Sequence, residues 1–436
     1  MPRELPGFYW DEERNRYFPI ASKPKFSAAQ SSTQPILPSK RVRAADQVAP
    51  HTPDTDLEYD DKVHPKRKKQ SIWTFNENRR TSLIPNHGLS KLQHEIRHYN
   101  YAITSSLGRV KIPTIGSMTA LASTRSSGRT WRFLGDSQGI IYTEKNSEIN
   151  DSDSSLHYHW SAEMVLQQGA AISSISSSGN RIVATCLGQA KIAVQELDTT
   201  ERTFVLNMSE IYDVRASCLD GSSLALGATK KAVYVSDIDA SNAIQCFHTK
   251  SDVFSLAKQR HLLYSGSRNG RIDRWDLRLA TRNGQTLFDG RFGTKPRRTV
   301  VHLQILREFE LLTNQLDGQH NVRQLATYDL RYLKSQSPDP LVEFSGHQNA
   351  FLSNLGLAVD PHEEFLFAAG HDNRIRGWSL LTGQPLFNGY NPTFDTESVH
   401  PICALQVTEE PGIAGSTLWA AADRDLYQFH LGQLDL

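Results

Sequence analysis

The chain has 436 residues, 38% of them hydrophobic, enough to bury a sizeable core. Its formal net charge of +1 gives no bulk electrostatic argument for nucleic acid or a membrane surface as partner. There is no secretory leader, no apolar run of bilayer length and no metal-ligand spacing among the four cysteines, so a soluble, reduced, intracellular protein of nucleus and cytoplasm is expected.

Residues 1–20 are dense in aromatics: Phe8, Tyr9, Trp10, Tyr17 and Phe18. Such density reads as a docking motif, whether on the rest of the chain or on a partner. Residues 21–70 are rich in Ser, Pro, Ala, Gln and Thr and read as a disordered linker. The linker ends in Pro65-Lys66-Arg67-Lys68-Lys69, a basic run that suits a nuclear import signal, a nucleic-acid patch or simply a solvated tail.

Residues 71–109 read as a structured lead-in. Trp73, Phe75, Leu83 and Ile84 are apolar anchors. Ser90 is placed to cap a short helix on which Leu92 and Ile96 share one face. Such an element covers a blade edge or offers a helix that a partner grips. Within it, His94-Glu95-Ile96-Arg97-His98 matches the zinc-protease pattern H-E-x-x-H literally. No third histidine follows at the extended spacing and the flanks are polar. The expectation is a polar surface helix, with no metal site.

Residues 110–436 carry a repeat. Leu262–Arg278 runs apolar, small, Asn269-Gly270, then closes on Trp275-Asp276: strand, two-residue hairpin turn, strand. The pattern recurs at Phe133–Tyr142, Ile182–Val194, Leu224–Val235, Leu311–Leu330, Leu366–Leu380 and Ala420–Phe429. The closing positions return about every 40–50 residues, the period of a β-propeller blade. The fold class is therefore all-β, a seven-bladed WD-repeat propeller behind an N-terminal extension. Closure buries blade faces and protects strand edges. Residues 145–160 read as a polar insertion. Residues 280–299, with Arg282, Arg291, Lys295, Arg297 and Arg298, read as a basic loop. In the sixth blade, His347, Asp372 and Trp378 have the spacing of the hydrogen-bond network that stiffens WD blades, with Trp275 the equivalent strand residue two blades earlier. Ala368 and Ala369 stand where the network needs a hydroxyl, so it is expected to be incomplete.

No phosphate-binding loop, nucleophile elbow or dinucleotide fingerprint is present, so neither an enzyme nor a cofactor is expected. Trp275-Asp276-Leu277-Arg278 and, one blade on, Tyr328-Asp329-Leu330-Arg331 resemble the W-D-x-R boxes of WD-repeat substrate receptors of cullin-4 ubiquitin ligases. Residues 1–20 and about 260–430 are similar to that family. The resemblance implies that Asp276, Arg278, Asp329 and Arg331 bind the ligase's damaged-DNA-binding adaptor and, through it, the cullin-4 complex, aided by the 71–99 segment. An unidentified substrate protein is expected on the opposite face. A less favoured expectation is a nuclear scaffold in ribosome or chromatin assembly, touching nucleic acid through 65–69 and 280–299.

Overall fold

All seven repeat hairpins form, each closing at the expected position. In a computed structural model, which describes residues 8–11, 16–19, 87–102 and, between short loop gaps, 106–432, the closing residues pair across their hairpins. The pairs are Leu134 with Tyr142, Val183 with Val194, Leu224 with Val235, Leu263 with Trp275, Leu311 with Tyr328, Leu366 with Trp378 and Ala420 with Tyr427. Around these hairpins stand seven antiparallel sheets, among the described residues six of four strands and one, blade 6, of three. The second strand of each blade is flanked by blades on both sides, and in blades 3 and 6 it is apolar or small without alternation. Ser223–Ala228 in blade 3 and Phe365–Ala369 in blade 6 are buried at every position.

The blades stack through separate apolar clusters, one at each of the seven interfaces. Closure is made by Ser106–Lys111, which pairs along the last strand of the chain, Asp425–Leu431, as the outer strand of blade 7. The ring boundary expected at residue 110 thus cuts a strand. An early segment completes the final sheet, so the two ends of the ring hold each other and no blade edge is left open at the seam.

The turn in Leu262–Arg278 differs from the expected two-residue form. Gly270 donates its N–H to the Ser267 carbonyl at 3.0 Å and has φ +80°, which makes a longer turn ending in a left-handed residue. Asn373 in blade 6 (φ +60°) and Gly139 in blade 1 (φ +82°) occupy the same position, each closing on the residue three before it. Asn and Gly are the residues that tolerate this conformation, which is why either satisfies the repeat.

Residues Phe8–Asp11 and Arg16–Pro19 form a separate two-stranded hairpin, pairing Tyr9 with Phe18 and Trp10 with Tyr17. The basic run 65–69 and the lead-in anchors Trp73, Phe75, Leu83 and Ile84 lie outside the described residues, as do Arg282, Arg291, Lys295 and Arg297 of the basic loop. Arg298 of that loop is buried.

Candidate functional site

Asp276 ends the third strand of blade 4, and Arg278 folds back onto it. Its backbone N–H and Nε donate to Asp276 Oδ1 at 3.1 and 3.0 Å, and Nη2 donates to Oδ2 at 2.7 Å. Blade 5 repeats this at Asp329 and Arg331, with distances of 3.0, 3.0 and 2.9 Å. The two boxes are one structural module. Each carboxylate takes an i+2 backbone amide and a two-pronged guanidinium, which fixes a flexible side chain at the rim. The Arg278 hydrogen bonds hold the Asp276 carboxyl down at about 2. The Arg331 guanidinium also lies 5.0 Å over the Phe309 ring and 5.7 Å over Tyr332.

In each blade the end of the third strand meets the turn between the first and second strands: Leu277 N–H donates to His261 O, and Leu330 N–H to Phe309 O. These turns are linked across blades. Arg260 of blade 4 pairs with Glu308 of blade 5. In blade 5, Arg307 donates its N–H to Glu363 Oε2 of blade 6 at 2.8 Å. A belt of charged turns therefore runs along one face of the ring, here the box face.

The belt continues into helix α1 (His87–Ala102). Glu364, the next residue of the blade 6 turn, lies 3.3 Å from His94 Nδ1 and 3.1 Å from Arg97 Nη1. His94 Nε2 bonds Ser379 Oγ at 2.9 Å, and the His94 ring stacks on Phe365 at 4.9 Å and 8°. About two turns further on, Tyr101 donates to Ser416 Oγ of blade 7 at 2.9 Å and packs on Phe365 and Phe367. The surface-helix expectation is corrected on this point: His94 is buried, only 5% exposed. Both His94 nitrogens are taken by protein groups, so this half of the H-E-x-x-H pattern serves docking. Burial raises the Glu364 carboxyl, but the His94 hydrogen bond and the Arg97 and His94 charges outweigh it and leave the group below its ordinary range.

Leu92 and Ile96, expected to share one face, do so on the exposed side: Leu92 is 54%, Ile96 51% and Tyr99 67% exposed. Spaced at four and three residues, they form an apolar stripe on the side of α1 away from the ring. Exposed Leu279, Phe309 and Tyr332 lie on the same face beside the two boxes. The box face thus combines two locked arginines with two apolar groups, a pattern of rigid anchors suited to a protein partner.

The other nominated residues are structural or lie apart. Trp275 is buried and donates Nε1–H to Ser265 Oγ at 3.1 Å. Trp378 donates to the Ser345 carbonyl at 2.9 Å, with the His347 ring edge-on at 6.2 Å. Asp372 is held by Arg376 at 3.0 and 2.6 Å, and neither His347 nitrogen makes a hydrogen bond. His347, Asp372 and Trp378 are gathered but do not close a hydrogen-bonded triad. Burial keeps the His347 imidazole neutral, down at about 4. Phe8, Tyr9, Trp10, Tyr17 and Phe18 all fall on the N-terminal hairpin.

Asp136, a residue of the Phe133–Tyr142 hairpin, and Asp360 take roles that the sequence did not show. Asp136 accepts from the Gly116, Gln138 and Ile140 amides and the Tyr142 hydroxyl at 2.8–3.1 Å. Asp360 accepts from the amides of His362, Glu364 and Phe365, and so fixes the turn that presents Glu364 to the helix. An Asp directly before a turn was the available signal. For Glu364 itself no local pattern points to a helix 270 residues away.

No protein-family model matches the chain. Over 140 residues it is 31% identical to an uncharacterized WD repeat-containing protein of Caenorhabditis elegans, a match covering 31% of this chain and 23% of that protein. Over 188 residues it is 29% identical to DDB1- and CUL4-associated factor 4 of Bos taurus, covering 42% of this chain and 35% of that protein. The matches thus span about a quarter and a third of these relatives. The chain is a seven-bladed propeller whose sequence is similar to those of WD-repeat proteins.

Proposed function

We propose that the chain is a non-catalytic substrate receptor that joins a target protein to a cullin-4 ubiquitin ligase, docking on the adaptor DDB1 through its box face. One observation carries this reading. The Asp276–Arg278 and Asp329–Arg331 modules and the apolar stripe of α1 are tied into one face by the Arg260–Glu308, Arg307–Glu363 and Glu364–His94 links. The similarity to a DDB1- and CUL4-associated factor gives the partner its name. In this reading the propeller does no chemistry. It raises the effective concentration of a target near the ligase, in nucleus and cytoplasm, with the target on the opposite face.

Affinity purification of the tagged chain from cells tests the reading. The wild type brings down DDB1 and cullin-4, and an Arg278→Ala/Arg331→Ala/Leu92→Asp/Ile96→Asp variant that remains folded does not. Absence of DDB1 and cullin-4 from the wild-type sample rules the receptor role out.

A further inference from the structure

The seven inner strands enclose a central channel, and at one end it widens into a cavity of about 360 Å³. The cavity is lined by the starts of these strands, Ser173 and Ser174 of blade 2, Arg215 to Ser217 entering blade 3, and Phe254 of blade 4 among them. The starts lie on the face of the second-to-third-strand turns, opposite the box face. Among the described residues no aspartate or glutamate lines the cavity.

Two nitrogen groups stand out in it. Arg215 lies 4.8 Å over the Phe254 ring, so its guanidinium is positioned, yet its buried Nε has no hydrogen-bond partner and it has no carboxylate partner among the described residues. His302 Nε2 is likewise sealed from solvent and without a partner. The hydroxyls around them are already committed. Ser173 donates to Val214 O, Thr119 donates to Ile172 O at 2.6 Å, and Ser174 and Ser217 bond each other at 2.9 Å. What the cavity still offers is one fixed positive charge, the Arg215 guanidinium, with apolar wall from Phe254, Leu303 and Leu355.

We infer that this channel mouth binds one anionic side chain, a carboxylate or a phosphorylated residue, of a polypeptide laid across the face. The inference rests on the receptor reading for the identity of that polypeptide as substrate. Charge selects the ligand: an arginine without a counter-ion attracts an anion and repels a cation, and a charge-assisted bond is the strong kind. The surroundings select a polypeptide over a free ion. Ile115, Phe351 and Val399, all exposed, stand on the loops leading into blades 1, 6 and 7 on this same face. A free phosphate would touch none of them.

The test passes peptide pools over the immobilised full-length chain. Each pool has a fixed central residue, Glu, phosphoserine, Ala or Lys, within otherwise randomised flanks. The expected result is retention of the Glu or phosphoserine pool over the Ala pool by roughly tenfold, with the Lys pool retained least. Arg215→Met, which keeps the packing on Phe254, abolishes the preference, and Arg215→Lys keeps most of it. Equal retention of all pools overturns the inference, and so does a preference that survives Arg215→Met. Stabilisation by inorganic phosphate without enrichment of any pool assigns the mouth to a free anion and overturns the polypeptide. DDB1 binding is measured on the same samples. A preference without DDB1 binding keeps this site and removes the receptor reading, whereas DDB1 binding without a preference removes this site alone.

Discussion

The His94 ring of α1 lies flat on the Phe365 ring of blade 6, 4.9 Å between centroids and 8° from parallel. The contact, with the bonds from His94 to Ser379 and Glu364, makes the helix part of the ring. His94→Ala removes the stack and both bonds. A buried aromatic stack is worth about 0.5–1.5 kcal/mol and a hydrogen bond about as much. The expected cost is about 2 kcal/mol, with α1 amides losing their hydrogen-exchange protection before those of the blades.

The same contact depends on pH through Glu364. Its folded carboxyl titrates below the ordinary 4.5, so it favours the folded state fully above that value and the contribution is lost as pH falls through the lower folded value. The contact between α1 and Glu364 should therefore weaken only at acid pH, below the ordinary carboxylate range, as followed by the Glu364 carboxyl resonance. In Glu364→Gln that acid transition disappears.

Asp276 gives a second titration. Arg278 holds it at about 2, against an ordinary 3.8. In Arg278→Ala the carboxyl should return to its ordinary range, read directly by carbon NMR. An unchanged value would mean that the box is not locked in solution.

Arg132 and Glu144, both nearly fully buried, pair at 2.5 Å within blade 1, with the guanidinium 4.3 Å over Trp419 of blade 7. The pair sits at the seam where the ring closes. Glu144→Ala leaves a buried cation and should cost about 3–5 kcal/mol in chemical denaturation. Losing both charges together, as Arg132→Met/Glu144→Leu, should cost less than losing one.

Gly270→Ala tests the turn of blade 4. Its φ of +80° strains any other residue, and a Cβ would meet the Arg298 carbonyl oxygen at 2.4 Å. The backbone must move, at an expected cost of about 1–3 kcal/mol by thermal unfolding.

The ring was legible because one residue per blade must fill the space between neighbouring sheets. Trp275, Tyr328, Trp378 and Tyr427 report that need at a fixed period. Their contacts are local to a hairpin and its neighbour, so spacing suffices. The boxes were legible for the same reason, since Asp276 and Arg278 satisfy each other within three residues. The orientation of α1 was not. Leu92 and Ile96 look like the buried face of an amphipathic helix, while the ring takes His94 and Tyr101. Those polar residues are buried because Glu364, Ser379 and Ser416 supply their partners from far along the chain. The closing strand Ser106–Lys111 was hidden similarly, because its partner is the last strand of the chain.

Whether the box face holds DDB1 is read from the affinity of purified DDB1 for the purified chain. Exposed substitutions usually change stability by within about ±0.5 kcal/mol, so rim variants should stay folded. Leu92→Asp/Ile96→Asp and Arg278→Ala/Arg331→Ala should each weaken binding by about tenfold or more, with unfolding temperature unchanged. Wild-type affinity in both folded variants would contradict docking at the box face.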